Sequence, residues 1–194
     1  MREMMEAIVE GFKVKRKSSA EIKRKERAKL HGFDTDTVYY HGTKESFTEF
    51  KEEKLDNHQN QTMGHLGHFF TKNPETASVY ANRGNGNVIP VYLKINNPLV
   101  VQESIQNDSD NDMVDDSKEF QLFQRYWGIV ELEGVEVAYQ AVLKPKGYDS
   151  IILKDWVDTD PEGNRIIEDQ IIIPNPENIR SVYAEFRNIK SANL

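Results

Sequence analysis

The sequence predicts an α+β domain with a split or two-layered antiparallel sheet, and three observations predict it. Short runs rich in Val, Ile, Phe and Tyr recur from Val38 to Phe186. Few stretches carry helical spacing. Gly, Pro and Asn clusters punctuate the runs, as they do between short strands. The chain has 194 residues, enough for one core of ordinary size plus an appendage.

Residues 1–12 carry Met4, Met5, Ile8 and Val9 at spacings that suit a short helix, and Lys13 to Lys17 reads as a basic linker. Ser18 with Glu21 forms a capping box, so a second helix starts there, runs to about Leu30 and stops near Gly32. Its apolar face is poor, so it is expected to pack lightly. Residues 1–32 are therefore set apart as a basic helical arm, and 33–194 as the globular domain. Val38–Tyr40 is the first strand. Lys51 to Met63 is a polar loop flanked by Phe47 and Phe50. His68–Thr71 follows the Gly64–Gly67 turn as a second strand. Asn73 as N-cap and Pro74 in the first turn open a helix carrying Ala77, Tyr80 and Ala81. Val88–Ile95 alternates as a strand, breaks at Asn96-Asn97-Pro98 and resumes over Leu99–Val101. Phe120, Phe123, Tyr126 and Trp127 sit at helical spacing and read as core; Val135–Leu143 reads as another helix. Tyr148–Leu153, Ile166–Ile173 and Ile179–Phe186 are the closing strands, with a hairpin tip over Asp158–Asn164.

Composition excludes several functions. There is no cysteine, hence no disulfide framework, thiolate nucleophile or Cys-based metal site. No run of eighteen apolar residues is present and the N-terminus lacks the apolar core of a signal peptide, so no membrane partner and a cytoplasmic location are expected. Asp108–Asp116 lacks the glycine turn and terminal glutamate of a calcium loop. His58, His65 and His68 fit no zinc spacing, so no metal is expected. The net charge of −7 splits into about +5 for residues 1–30 and about −12 for the rest. The basic arm is a solvated helix or a contact for an acidic partner or nucleic acid.

Three stretches carry candidate chemistry. Val38-Tyr39-Tyr40-His41-Gly42-Thr43 ends a core strand in an imidazole, a residue without Cβ and a hydroxyl, a combination suited to a small ligand. Gly67-His68-Phe69-Phe70-Thr71 precedes Tyr80, and a strand end followed by a helix can set two rings face to face as a slot for a flat heteroaromatic. Glu168 and Gln170 alternate onto one face of the strand that continues as Ile171-Ile172-Ile173. Each has a plain structural reading as core or strand end.

In this order the three stretches resemble the ADP-ribosyltransferase fold. More narrowly they resemble the diphtheria-toxin and poly(ADP-ribose)-polymerase branch, with its His, Tyr and Glu on separate elements. They look most like the ADP-ribosyltransferase-like domains of bacteriophage and mobile-element polyvalent proteins. The resemblance covers about residues 24–194, including Glu26–Thr35, Pro176–Val182 and Ser191–Leu194. It implies an ADP-ribosyltransferase-like split antiparallel β-sheet core with flanking helices. It also implies NAD as substrate and transfer of a single ADP-ribose to a macromolecular acceptor, protein or nucleic acid, with release of nicotinamide, by a monomeric phage or mobile-element effector acting in a host cytoplasm.

By the same resemblance Phe69 and Tyr80 clamp nicotinamide, with Gly67 and Phe70 in that motif. The Gly42 backbone holds its carboxamide, His41 binds a ribose hydroxyl and Thr43 supports that wall. Arg83, just past Tyr80, reads from its position either as a contact for a pyrophosphate or as a solvated charge at the helix end. Gln170 stands where the family has its catalytic Glu, with Glu168 as the substitute two residues away, and Phe69 stands for the commoner Tyr. The neutral Gln170 keeps a second reading open, a catalytically reduced NAD- or nucleotide-binding module. NAD hydrolysis and RNA 2′-phosphate transfer are further reactions of the same fold, and an acidic globular part disfavours the last.

Overall fold

The computed structural model describes residues 18–45, 49–51, 65–81, 86–102, 117–159 and 163–184. The expected helix over 1–12, the loops over Lys51–Met63 and Asp108–Asp116, and Arg83 lie wholly or largely outside them.

Helix α1 (Ser19–Leu30) begins as its capping box requires, with the Ser18 hydroxyl accepting from the Glu21 N–H at 3.2 Å. Gly32 then turns the chain at φ +83°. Only Ala28 of the helix is buried, which matches its poor apolar face. Strand β1 (Asp34–Thr43) is longer than the apolar run suggests: it starts four residues before Val38 and carries on through His41 and Gly42. Strand β2 (His68–Phe70) leads to α2 (Pro74–Tyr80), capped by Asn73 as expected. Strand β3 (Asn87–Leu93) and β4 (Pro98–Gln102) follow, then α3 (Lys118–Glu133). The stretch read as one helix over Val135–Leu143 is α4 (Val135–Ala138) widening into a single π-helical turn over Tyr139–Leu143. Strands β5 (Ser150–Thr159) and β6 (Arg165–Ile173) form the hairpin. Strand β7 is only Ile179–Ser181, shorter than the run to Phe186, because the chain turns at Val182 and Tyr183.

The sheet is split. One half has the order β1-β3-β7, the other β2-β6-β5-β4, and a Tyr40–Thr71 bridge joins them. Tyr40 and Thr71 exchange backbone hydrogen bonds at 2.8 and 3.1 Å. All strand pairs are antiparallel except β4 with β5, which run parallel; α3 and α4 lie in the connection between them, as a parallel crossover requires. Strand β5 carries a bulge, with Lys154 and Asp155 opposing Asp169 alone. Asp155 takes the left-handed φ of +49° there, and its N–H donates to the Asp169 carboxylate at 3.2 Å, beside the Lys154–Asp169 ion pair.

Two cores result. Phe120, Phe123, Tyr126 and Val130 of α3 pack on Ile151, Leu153 and Ile172. Tyr39, Val91 and Leu93 of the three-stranded half pack on Phe70, Ile171 and Ile173. Alternate isoleucines of β6 therefore serve opposite cores, which is why this strand reads as a continuous apolar run. No helix among the described residues is long and apolar enough to cross a membrane.

Candidate active site

The site is built where the two half-sheets meet, from β1, β2, α2 and β6. Gly42 sets the distance between β1 and α2. A Cβ at Gly42 would stand 1.9 Å from the Ala77 carbonyl oxygen and 3.0 Å from the Tyr80 Cβ, so only glycine lets α2 lie this close. Tyr40 uses its backbone N–H and C=O on the Thr71 side. Backbone groups alternate along a strand, so Gly42, two residues on, turns its N–H and C=O the same way, away from β3. Thr43 ends the strand with its hydroxyl accepting from the Glu45 N–H at 3.1 Å.

Strand β2 is fixed from both sides. Gly67, at φ +143°, lies against β6, where a Cβ would meet the Ile172 side chain at 2.8 Å. The residue before it is held by the buried Tyr126 hydroxyl, which donates to the Leu66 carbonyl at 2.6 Å. Burial raises the pKa of that phenol well above its ordinary value, so it stays a donor.

Phe69 lies opposite Ile172, and paired residues of an antiparallel ladder share a face. Gln170 alternates onto that same face. Its side-chain Nε2 donates to the Tyr80 hydroxyl at 3.0 Å, across 90 residues of sequence. Phe69, Tyr80 and Gln170 are thus brought to one face of the β2–β6 pair, with Gln170 9% exposed and Tyr80 37% exposed. Phe70 points the other way, buried in the second core against His41 at 5.5 Å between ring centroids.

The His41 Nδ1 lies 2.8 Å from the Phe69 carbonyl oxygen. A carbonyl only accepts, so Nδ1 carries the proton, and a neutral His41 has Nε2 as its acceptor nitrogen. This tautomer suits a hydroxyl donor.

Glu168 is tied to the β2–α2 connection. Its carboxylate accepts from the Thr71 hydroxyl at 2.8 Å and from the Asn73 side-chain amide at 2.6 Å. Asn73 meanwhile caps α2 through its other atom, accepting from the Glu75 N–H at 2.9 Å. Glu168 therefore anchors the helix that carries Tyr80, while Gln170 touches Tyr80 itself.

Residue reading passed over two neighbours of His41. His68 is buried on β2, with its ring centroid 6.4 Å from that of His41. Phe50 stands edge-on to both rings, at 5.3 Å from His41 and 5.2 Å from His68. Burial, then the adjacent His41, lowers the His68 pKa to about 3. The signal was the alternation of His68 with Phe70, which places both on the His41 side of β2. Among the described residues no group of three His, Asp or Glu side chains is arranged to hold a metal ion.

A family model described as ADP-Ribosyltransferase in polyvalent proteins matches residues 35–189. No curated protein matches the chain.

Proposed function

Given that the chain belongs to the ADP-ribosyltransferase family of polyvalent proteins, we propose that it transfers a single ADP-ribose from NAD to a macromolecular acceptor. The observation that carries this reading is the Gln170–Tyr80 hydrogen bond at 3.0 Å, which gathers α2 and β6 beside the His41 strand. In such a transfer the bond from the ribose carbon to the nicotinamide nitrogen breaks. Nicotinamide leaves with the bonding pair, positive charge builds on the ribose, and the acceptor nucleophile takes the vacated carbon.

The residues fit that substrate. The Gly42 N–H and C=O, turned away from the β3 ladder, complement the acceptor and donor of a carboxamide. Phe69 and Tyr80 supply aromatic surface on the face of Gln170 for a flat ring. His41, its Nδ1 held by the Phe69 carbonyl, offers Nε2 to a ribose hydroxyl, and Thr43 with Gly67 shapes the surrounding backbone. Gln170, with one amide N–H donating to Tyr80, offers its carbonyl oxygen to the reacting ribose. Preorganised dipoles of this kind stabilise a developing cation without carrying full charge. Glu168 contributes negative potential from behind, through Thr71 and Asn73. Arg83 is assigned to the pyrophosphate. We further propose that the protein acts as a monomer in a host cytoplasm for a phage or mobile element, with residues 1–32 as a separable arm.

A second reading is favoured by one specific residue. With Gln170 in place of a carboxylate, the domain binds NAD without turning it over. Incubating the protein with NAD labelled in its adenosine half, in a cell lysate, separates these readings. Label on macromolecules with free nicotinamide supports transfer. Nicotinamide without label supports hydrolysis, and binding with neither product supports the module. Loss of NAD binding is expected in His41→Ala; full binding and turnover in that variant would sink the site.

A further inference from the structure

Three consecutive residues of β2 face the His41 imidazole. The Phe69 carbonyl oxygen lies 2.8 Å from Nδ1. His68 and Phe70 flank that carbonyl, two positions and so about 7 Å apart along the strand. Their ring centroids lie 6.4 and 5.5 Å from that of His41, the His68 ring edge-on at 80° and the Phe70 ring tilted at 48°. Phe50 adds a third wall at 5.3 Å and 73°. It also meets the rings of His68 and Phe70, at 5.2 and 5.8 Å. Ladder pairing fixes two of these walls: His68 lies opposite Ile173 and Phe70 opposite Ile171, both isoleucines being buried.

A hydrogen bond at one nitrogen does not by itself orient an imidazole. The torsion between Cβ and the ring is broad and roughly two-fold, so the ring can turn and exchange its nitrogens. Which nitrogen faces a ligand is set by the bond that the other one makes. Edge-on rings with centroids within about 7 Å attract one another and restrict that turn. His68 is the unexpected member of the set. It is 6% exposed, and burying a polar ring costs stability that an apolar residue at this place would not. Burial, then the neighbouring His41, lowers its pKa to about 3, so the wall carries no charge near neutral pH. With its Nε2 buried, the ring acts through His41 and not on a ligand.

We infer that His68 is a positioning residue. With Phe50 and Phe70 it locks the His41 ring in the one orientation that keeps Nδ1 on the Phe69 carbonyl and turns Nε2 towards a ligand. The inference rests on the reading of His41 as the acceptor for a ribose hydroxyl, and it makes that acceptor preorganised. The ordering of the imidazole then accompanies folding, and binding is spared it.

The test uses the full chain and needs no turnover. Long-range proton–nitrogen NMR of the ligand-free protein, at about pH 8 and so above the ordinary imidazole range, reads the tautomer of each of the five histidines. The signals absent from His41→Ala belong to His41. The parent protein is expected to show His41 in the Nδ1–H form alone. In His68→Leu those signals should move towards a mixture of the two tautomers. NAD should bind that variant about three- to tenfold more weakly, the range for one newly mobile side chain. His68→Phe restores a flat wall and should recover both properties. If the larger ring disturbs the fold, as circular dichroism would show, Phe50→Leu tests the enclosure from its other side, with the same tautomer shift expected. A His41 tautomer unchanged in both leucine variants overturns the inference even where NAD binding falls, since lost packing then accounts for the fall. A parent protein that does not bind NAD, yet whose leucine variants show the tautomer shift, overturns the ribose reading and upholds the positioning of His41.

Discussion

Gln170 is a neutral amide, 9% exposed, bonded to the Tyr80 hydroxyl. Replacing it by glutamate adds a full negative charge where the proposed reaction develops a positive one. An interior charge–charge interaction of several kcal/mol corresponds to orders of magnitude in rate. Gln170→Glu is therefore expected to raise nicotinamide release from NAD at least tenfold, measured by chromatography of the released base; an unchanged rate would remove Gln170 from the reacting centre. His68 gives a second expectation. Its pKa is about 3 in the folded protein against 6.5 for the free side chain. Below pH 6.5 the unfolded chain takes up a proton that the folded state refuses. The stabilisation is complete above that pH and is lost as pH falls towards 3, by about 2 kcal/mol at pH 5. His68→Leu removes both this dependence and a buried nitrogen that has no hydrogen-bond partner among the described residues. Urea midpoints at pH 5 and 7 should lie closer together in that variant than in the parent protein.

At the scale of elements, the close approach of α2 to β1 is the contact on which the site depends. Gly42→Ala forces a methyl group into the Ala77 carbonyl, so α2 must shift. A loss of about 3 kcal/mol is expected, read as a lower thermal midpoint, together with weaker NAD binding. The value of Gly42 was legible in the sequence as a backbone approach that a Cβ would block, although what approaches is a helix of the same chain. The caps of α1 and α2 were legible too, because Ser18 and Asn73 act on their own next turn. The parallel β4–β5 pair was not, since direction depends on a partner about fifty residues away. Nor was the bulge at Lys154–Asp155, which exists only in register with Asp169. Glu168 and Gln170 were placed correctly on one face, but nothing local distinguishes the carboxylate held by Thr71 and Asn73 from the amide that meets Tyr80.

For the whole molecule, α1 buries one side chain, Ala28, and that residue belongs to neither of the two cores. Deleting residues 1–30 is expected to leave a folded domain, with a midpoint lower by about 2 to 4 °C and NAD binding retained. Collapse of the truncated chain would reject the division at residue 32. The isoleucines of β6 have a wider thermodynamic consequence. Because Ile172 belongs to one core and Ile171 and Ile173 to the other, loosening either core withdraws the wall of its neighbour. The halves of the split sheet cannot melt in turn. Scanning calorimetry should accordingly give a single endotherm whose calorimetric and van't Hoff enthalpies agree, and an Ile172→Val exchange should move that one peak as a unit.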